Sequence, residues 1–352
     1  MNAITHDTRI AAPATPHPTH KLKWLLKREF WEHKGGFLWA PMIAGAVFLF
    51  FTLLGGGTGQ FLFNRHGGRV INFDGKEVPL SQVDWDKMLA TASPDDLRQM
   101  GEAINGITLM SAFWPLVVFG FVVFFYLLGS LYDERKDRSV LFWKSMPVSD
   151  GLTVLSKVLT ALVVAPVIAS VISLAVMLAF GLIISLFIAL NGANPFTLYW
   201  ANLEPLKLIG SVFGWLPVYA IWALPTAGWL MLCSAWAKSK PFLWAVVLPI
   251  FAGILVSWFG FLSNFKGYDE SWIWQHGVAR ALTSAWPGSH LLGFAGTPYI
   301  DRLDDSPKAL YGLDGVIGGL HLFTTPGLWI GAIAGILMIL AAVRLRRWRD
   351  EA

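Results

Sequence analysis

Six long stretches of this sequence contain no Asp, Glu, Lys or Arg, and this feature limits the possible folds more than any other. Each stretch can hold the roughly 20 apolar residues that a membrane-spanning helix needs. The 352 residues are 55% hydrophobic and only 14% charged, whereas an average globular protein is about 25% charged. The sequence therefore predicts an all-α polytopic membrane protein and excludes a cytosolic enzyme, a disordered chain and a coiled coil. The charge-free stretches are residues 35–64, 103–132, 158–203, 208–237, 241–265 and 315–343.

The third stretch is long enough for two spans, but we count it as one. Its apolar run is unbroken from Val158 to Leu190 and stops at segment 191–195, whose Asn-Gly-Ala-Asn-Pro sequence is typical of a loop. The chain then divides into a disordered cytoplasmic tail (1–20), an interfacial helix (21–36), a transmembrane domain (37–343) and a basic cytoplasmic tail (344–352). The six predicted spans are residues 37–56, 106–131, 158–190, 211–235, 242–262 and 324–343.

The distribution of Lys and Arg predicts the orientation. With both termini in the cytoplasm, the inner segments carry 17 Lys and Arg against 9 acidic residues, and the outer segments carry 10 against 14. Cytoplasmic loops of membrane proteins are enriched in Lys and Arg. Splitting the third stretch would move Lys238, Lys240 and the arginine cluster at 344–349 to the outer side, so charge and span count agree on six spans.

The segment before the first span has the pattern of a helix that lies on a membrane surface. Leu22, Leu25, Leu26 and Phe30 follow helical spacing, and basic residues surround them. Such a helix lies in the interface, attracted by anionic lipid. A solvated basic arm is the alternative. Residues 1–20 have no apolar core and so are not a secretory signal.

Two outer segments, 57–105 and 263–323, are large enough to contain structure of their own. In the first, two short β-prone runs, 70–73 and 76–78, flank Asp74-Gly75 and predict a hairpin. Ser93 followed by Pro94 predicts the capped start of a helix that continues toward the second span. In the second, clusters of Trp and Gly predict short helices that rest on the outer leaflet or dip into it.

The sequence contains no recognisable catalytic, metal-binding or phosphate-binding motif. Outer His276, His290 and His321 have no metal-ligand spacing to Asp301, Asp304 or Asp305, and the single Cys233 forms neither a disulfide nor a zinc cluster. Segment 70–77 lacks the first Gly and the final Ser or Thr of a phosphate-binding loop. The cores of the predicted spans contain no ionisable residue of the kind that ion-driven transporters use. Energy for transport would therefore come from outside the membrane domain.

The largest inner loop combines a cluster of mixed charge at 132–138 with a short apolar helix that Met146-Pro147 ends. Leu141, Phe142 and Trp143 are too apolar for a solvated linker and suit a groove on another protein. A position on the lipid surface is the equal alternative. Ser149 or Asp150 then caps the helix of the third span.

This loop resembles the first cytoplasmic loop of type-2 ABC transporter permeases, the six-span membrane subunits of the export class. The N-terminal arm from Leu26 to Trp31 resembles their interfacial helix, and the six-span layout with both ends inside also matches. The loop pattern that carries the resemblance is Glu134-Arg135, Ser139-Val140-Leu141, 145–149 (Ser-Met-Pro-Val-Ser) and Ser156-Lys157.

The resemblance implies that the loop contains a coupling helix that docks on a separate ATP-binding subunit, present in two copies. That subunit would bind ATP and Mg, so this chain would hold no cofactor and would not be an enzyme. A second permease copy, identical or related, would complete an exporter of an amphipathic or hydrophobic compound in the bacterial inner (cytoplasmic) membrane. Membrane lipid would be a further partner and nucleic acid would not. The implied coupling residues are Glu134, Arg135, Arg138, Ser139, Leu141, Phe142, Trp143 and Met146.

Two further repeats lie inside spans. Trp215, Trp222, Trp229 and Trp236 recur every seven residues and predict one stripe, which either lines a substrate path or packs against a neighbouring helix. Gly327, Gly331 and Gly335 recur every four residues and predict close packing with another helix.

Two classes of function compete with a permease. The first is a membrane-embedded enzyme or sensor that acts on lipids at the outer face, for which His290 with Asp301 or Asp304 would be the catalytic cluster. The second is a purely structural assembly partner.

Overall fold

The computed structural model describes residues 18–65, 70–73, 76–79, 85–145, 148–263, 270–291 and 320–348. Within these ranges, six helical stretches are long and apolar enough to cross a membrane. The chain is therefore an all-α polytopic membrane protein, as predicted. The six stretches are Gly35–Leu62, Pro94–Lys136, Asp150–Leu190, Pro205–Trp222, Pro241–Gly260 and Pro326–Trp348.

The chain begins with helix α1 (Pro18–Glu32), a π-helical turn (Gly35–Trp39) and helix α2 (Ala40–Arg65). α1 thus starts before the predicted residue 21. Helix α2 is followed by strands β1 (Val70–Phe73) and β2 (Lys76–Pro79), which pair antiparallel with Val70 opposite Pro79. The predicted hairpin is confirmed, although its turn residues Asp74 and Gly75 lie outside the described ranges.

Helix α3 (Trp85–Thr91) precedes α4 (Pro94–Ser111), whose start was predicted from its cap. The Ser93 hydroxyl accepts a hydrogen bond from the Asp96 N–H, and the Asp96 carboxylate accepts one from the Ser93 N–H. This reciprocal pair satisfies two backbone donors at the helix end. α4 continues into α5 (Phe113–Gly129) with a break only at Ala112, because Pro115 cannot donate the hydrogen bond that would continue the helix.

The loop between the second and third spans consists of α6 (Tyr132–Lys136) and α7 (Ser139–Ser145). The third span follows as α8 (Asp150–Leu159), a π-helical turn (Thr160–Val164) and α9 (Ala165–Leu190). It is one span, as predicted. The π-helical turns Gly35–Trp39 and Thr160–Val164 each come directly before an Ala-Pro pair, at Pro41 and Pro166.

After α10 (Pro195–Leu198) and a 3-10 turn (Trp200–Asn202), the stretch Pro205–Trp222 consists of α11 (Pro205–Gly214) and α12 (Leu216–Trp222), and α13 (Leu224–Trp236) continues it. We call α11 to α13 together the fourth span. The predicted single helix over 211–235 is therefore interrupted at Trp215 and Ala223. Each break comes two residues before a proline, Pro217 or Pro225, where a backbone donor is missing.

The fifth span is α14 (Pro241–Ser263). The outer segment after it forms α15 (Glu270–Ile273), a π-helical turn (Trp274–Ala279), α16 (Arg280–Thr283) and a 3-10 turn (Ser289–Leu291). A 3-10 turn (Leu322–Thr324) leads into the sixth span, α17 (Pro326–Trp348).

α13 and α17 form the most extensive helix pair, and α5 packs against both α9 and α13. The buried core between them contains side chains such as Phe119, Leu127 and Leu230. The outward faces of the spans remain apolar, with Phe51 64% and Phe259 65% exposed. Large exposed apolar faces on long helices suit contact with lipid tails.

Polar contacts define the two ends of this bundle. At one end, which we call the charged end, Glu29, Glu134, Lys157 and Arg346 meet. At the other, the opposite end, Gln60 and Asn191 exchange hydrogen bonds of 3.3 and 3.1 Å through their side-chain amides. The N-terminal helix, the loop after the second span and the end of the last span therefore share one face, as an even number of spans requires.

Candidate functional site: the loop between the second and third spans

The loop changes direction at a residue in the left-handed region. α6 ends at Lys136, and Arg138 has φ +56° before α7 begins at Ser139. Non-glycine residues seldom adopt this conformation, so surrounding contacts must hold it. Ser149 then caps α8 by accepting a hydrogen bond from the Leu152 N–H at 3.3 Å, as predicted.

A chain of ion pairs fixes the base of the loop. The Lys157 ammonium lies 3.1 Å from Glu29 Oε1 on one side and 3.1 Å from Glu134 Oε1 on the other. Glu134 also pairs with the Arg346 guanidinium, whose Nε lies 3.2 Å from Asp150 Oδ1. Four elements, α1, α6, α8 and α17, are joined in this way.

These charges are almost entirely out of solvent. The side chain of Glu29 is 0% exposed, Lys157 and Arg346 are 3% exposed, and Glu134 is 9% exposed. Two buried carboxylates thus face two buried cations, so the set is neutral. A buried charge costs much less when it is paired and hydrogen-bonded, which makes each member dependent on the others.

Further contacts hold Glu29, at one end of this chain of ion pairs, and Glu134, in its middle. The Tyr126 hydroxyl donates a 2.9 Å hydrogen bond to Glu29 Oε2, and His33 Nδ1 lies 3.9 Å from the same oxygen. Arg28 lies 4.0 Å from Glu134 and 3.1 Å from Glu32. Helix α1 is therefore attached to the second span as well as to the loop.

Arg135 attaches the loop to the end of the fourth span. Its Nη2 donates to the backbone oxygens of Ser234, at 2.5 Å, and Ala237, at 3.0 Å. The Ser234 hydroxyl in turn accepts hydrogen bonds from the N–H groups of Leu131, at 3.0 Å, and Tyr132, at 2.9 Å. Backbone and side chain together fix α6 against α13.

The structure separates the predicted coupling residues into two groups. Glu134 and Arg135 are 8% and 3% exposed and bind elements of this chain, so they do not present their side chains to a partner in this state. Their expected position beside a docked subunit stays a prediction, with their side chains at the base of the loop. Arg138 is exposed, and the Ser139 hydroxyl donates a 3.3 Å hydrogen bond to the Glu134 carbonyl.

The apolar part of α7 has two distinct sides. Val140 is fully buried, and the neighbouring Leu141 is 56% exposed. The backbones of Phe142 and Trp143 are helical, but their side chains, like the whole of Met146, lie outside the described residues. Leu141 is thus the described apolar side chain of α7 that faces outward.

Sequence reasoning missed the partners of Glu134. In the sequence, Lys157 is part of the loop pattern, Glu29 of the N-terminal arm and Arg346 of the basic tail, and none of these assignments predicts that they meet. One signal was present, because Glu29 continues the apolar stripe of Leu22, Leu25 and Leu26 on one face of α1. A carboxylate on the buried face of a helix needs a partner.

The tryptophan stripe packs within the chain. The Trp222 N–H donates to the Ser289 hydroxyl at 3.0 Å, and the Trp229 N–H donates to the Ala245 carbonyl at 2.9 Å. Trp215 packs edge-on against Tyr219, and Trp236 against Trp244, both with ring centroids 4.9 Å apart. The structure therefore favours packing, the second of the two predicted roles, over a substrate path.

Two members of the glycine repeat, Gly331 and Gly335, lie close to other elements of the chain. A Cβ on Gly335 would lie 2.8 Å from the backbone nitrogen of Pro225, because α13 and α17 are in close contact there. A Cβ on Gly331 would lie 2.6 Å from the Arg280 guanidinium carbon. Around Gly327 no described residue lies within 4 Å of the corresponding position.

The outer histidines form no described catalytic cluster. His290 is 5% exposed and packs near Trp222 at a ring distance of 6.5 Å. Burial lowers the pKa of His290 to about 4, so this imidazole is neutral near pH 7. Within the described ranges there is no group of three metal-ligating side chains. Asp301, Asp304 and Asp305 lie outside those ranges.

No protein-family model matches this chain, and neither a curated protein nor a solved structure matches it. The loop pattern and its geometry are therefore the grounds on which a function can be argued.

Proposed function

We propose that this chain is the membrane-spanning permease subunit of an ATP-driven ABC exporter. It would move an amphipathic or hydrophobic compound across a bacterial inner membrane, with its termini in the cytoplasm. Two copies of a separate ATP-binding subunit would supply the energy, and a second permease copy would complete the assembly. Catalysis of ATP hydrolysis, with ATP and Mg, belongs to the partner in this proposal.

The observation that supports it best is the anchoring of α7. This short helix presents Leu141 outward, while its base is attached through Glu134 and Arg135 to four other helices. A solvated linker would not need a buried ion-pair network. A helix that transmits movement from a partner to the spans needs both an exposed contact and a stiff base.

The connections of the base indicate where such movement would go. A push on α7 would reach the third span through Lys157 and the last span through Arg346. It would reach the fourth span through Arg135 and the surface helix α1 through Glu29. The loop is thus coupled to most of the bundle through buried, directional contacts.

The test is co-purification from the native host in mild detergent. We expect an ATP-binding subunit in stoichiometric amount with the wild-type chain. Leu141→Asp should reduce its recovery at least tenfold, because a charge replaces an exposed apolar contact at the proposed interface. The Phe142→Asp, Trp143→Asp double variant tests the remainder of the same helix.

Leu206→Asp is the matched control, since Leu206 is 84% exposed on α11 at the opposite end, between Glu204 and Lys207. It should retain the ATP-binding subunit. A wild-type chain that purifies alone while folded, or equal loss in the Leu141 and Leu206 variants, would contradict the proposal.

A further inference from the structure

One buried cation has no carboxylate partner in the described part of the chain. Arg280, at the start of α16 near the opposite end, is 5% exposed. Its backbone carbonyl accepts a hydrogen bond from the Thr226 hydroxyl at 2.7 Å. This contact fixes α16 against the fourth span.

The Arg280 guanidinium lies between three elements. Its carbon is 4.4 Å from the centre of the Trp222 ring on α12, a cation–π distance. Its Nη1 donates a 2.6 Å hydrogen bond to the Gly327 carbonyl. Gly331, one turn further along α17, leaves the volume that the guanidinium occupies.

The remaining donors form one edge of the guanidinium. Nε and Nη2 are both buried, and neither has a hydrogen-bond partner among the described residues. These two nitrogens lie on the side away from Cδ and donate in parallel, in the geometry that matches the two oxygens of a carboxylate or phosphate. The edge suited to an oxyanion is thus the edge left unpaired.

A buried guanidinium with unpaired donors is costly. The Trp222 ring and the Gly327 carbonyl compensate the Arg280 guanidinium only in part. Among the described residues, none lies within 4 Å of the position of a Cβ on Gly327, whose carbonyl accepts from Nη1 and not from the unpaired edge. Ile330, which points about 100° away from Gly331 around the helix, is 68% exposed, so α17 carries an outward apolar face next to the one that contacts Arg280. A charge beside an apolar surface suits a ligand with an anionic head and an apolar tail.

We propose that Arg280 binds the phosphate or carboxylate group of an amphiphile through its Nε and Nη2 donors, on a platform formed by Trp222 and Gly331. The site does not depend on an ATP-binding partner, so its test is a binding measurement on the purified chain.

The measurement is the thermal unfolding midpoint in dodecyl maltoside, followed by tryptophan fluorescence. Dodecyl phosphate should raise the midpoint saturably, because a ligand that binds the folded state stabilises it. Dodecanol, which has the same tail without the anion, should not. Inorganic phosphate is the third probe: a comparable shift identifies a free anion as sufficient, and no shift identifies the amphiphile as the source of the anion.

Two variants test the proposal and a third is the control. Arg280→Met should remove the dodecyl phosphate shift, and Arg280→Lys should weaken binding by about tenfold or more, since one charge-assisted hydrogen bond is lost. Arg98→Gln changes an exposed arginine of α4, whose side chain is 62% exposed, and should keep the wild-type shift.

The unfolding midpoint of Arg280→Met can also refute the proposal. If the edge is unpaired in the free protein, Arg280→Met should unfold at or above the wild-type temperature without any amphiphile, because an uncompensated charge has been removed. A clearly lower midpoint would show that contacts within this chain already compensate the guanidinium, and would overturn the proposal. An equal dodecyl phosphate shift in wild type and Arg280→Met would also overturn it.

Discussion

Replacing Lys157 with Met should be among the most destabilising single changes in this chain. Lys157 is 3% exposed and its ammonium is shared by Glu29 and Glu134, each at 3.1 Å. The substitution keeps an unbranched side chain of similar length and removes the charge. Two buried carboxylates then remain, with the Arg346 guanidinium as the remaining strong cation partner of Glu134.

The expected cost follows from burial rather than from the number of ion pairs. Removing one partner of a buried ion pair typically costs about 3–5 kcal/mol, because the remaining charge stays out of water without compensation. Glu29, which is 0% exposed, would keep the Tyr126 hydroxyl and the more distant His33. We therefore expect a loss within that range, against a total stability of about 5–15 kcal/mol for typical domains.

The measurement is reversible unfolding by SDS in mixed micelles with dodecyl maltoside. Lys207→Met is the matched control, because Lys207 pairs with Glu204 at the opposite end while both side chains are about half exposed. An exposed pair of this kind contributes under about 1 kcal/mol. A double variant, Lys157→Met with Glu29→Gln, should recover part of the loss, since it removes one uncompensated charge.

Equal losses in the Lys157 and Lys207 variants would refute the reasoning, because burial would then make no difference. A double variant that loses the sum of its two single effects would show that Glu29 and Lys157 do not interact.

Two further changes test packing and burial. Gly335→Ala should destabilise the chain by about 1–3 kcal/mol, because its Cβ meets backbone of α13, whereas Gly327→Ala, which meets open space, should be neutral or stabilising in the same SDS titration. Burial lowers the pKa of His290 to about 4, below its ordinary value of about 6.5, so the folded state binds this proton less readily than the unfolded state does. The contribution of neutral His290 to the free energy of unfolding is therefore fully present above about pH 6.5 and is lost as the pH falls. The free energy of unfolding should fall by about 2 kcal/mol between pH 7 and pH 5 in wild type, and the His290→Phe variant should lack that component. His321→Gln, which removes an exposed histidine, is the control and should keep it. A neutral Gly335→Ala, or the same pH dependence in His290→Phe and wild type, would contradict these two expectations.

Much of the fold could be predicted because lipid imposes a simple condition. Charged side chains are expensive in the hydrocarbon core, so their absence over six long stretches marks the spans directly. Local chemistry predicted the hairpin at 70–79 and the Ser93 cap, since each depends on neighbouring residues. The breaks at Trp215 and Ala223 follow from Pro217 and Pro225, although the sequence alone did not show that these prolines would divide the fourth span into three helices.

The ion-pair network could not be predicted in the same way. Lys157 and Glu29 are 128 positions apart, and Arg346 and Glu134 are 212 apart. No local pattern specifies such partners, because their contact depends on how whole helices pack. The same applies to Arg280, whose place among Trp222, Gly327 and Gly331 unites a tryptophan and two glycines that the sequence assigned to separate stripes.

The two ends of the bundle treat buried charge differently, and the difference bears on function. At the charged end, Glu29 and Glu134 compensate Lys157 and Arg346, so the network can stiffen the base of α7 without an external ion. At the opposite end, Arg280 has a carbonyl and an aromatic ring but no carboxylate among the described residues. A compensated network needs nothing further, whereas an uncompensated cation gains stability from any oxyanion that reaches it. The two proposals therefore assign different roles to the two ends: a stiff base for α7 at the charged end, and a site for an anionic ligand at the opposite end.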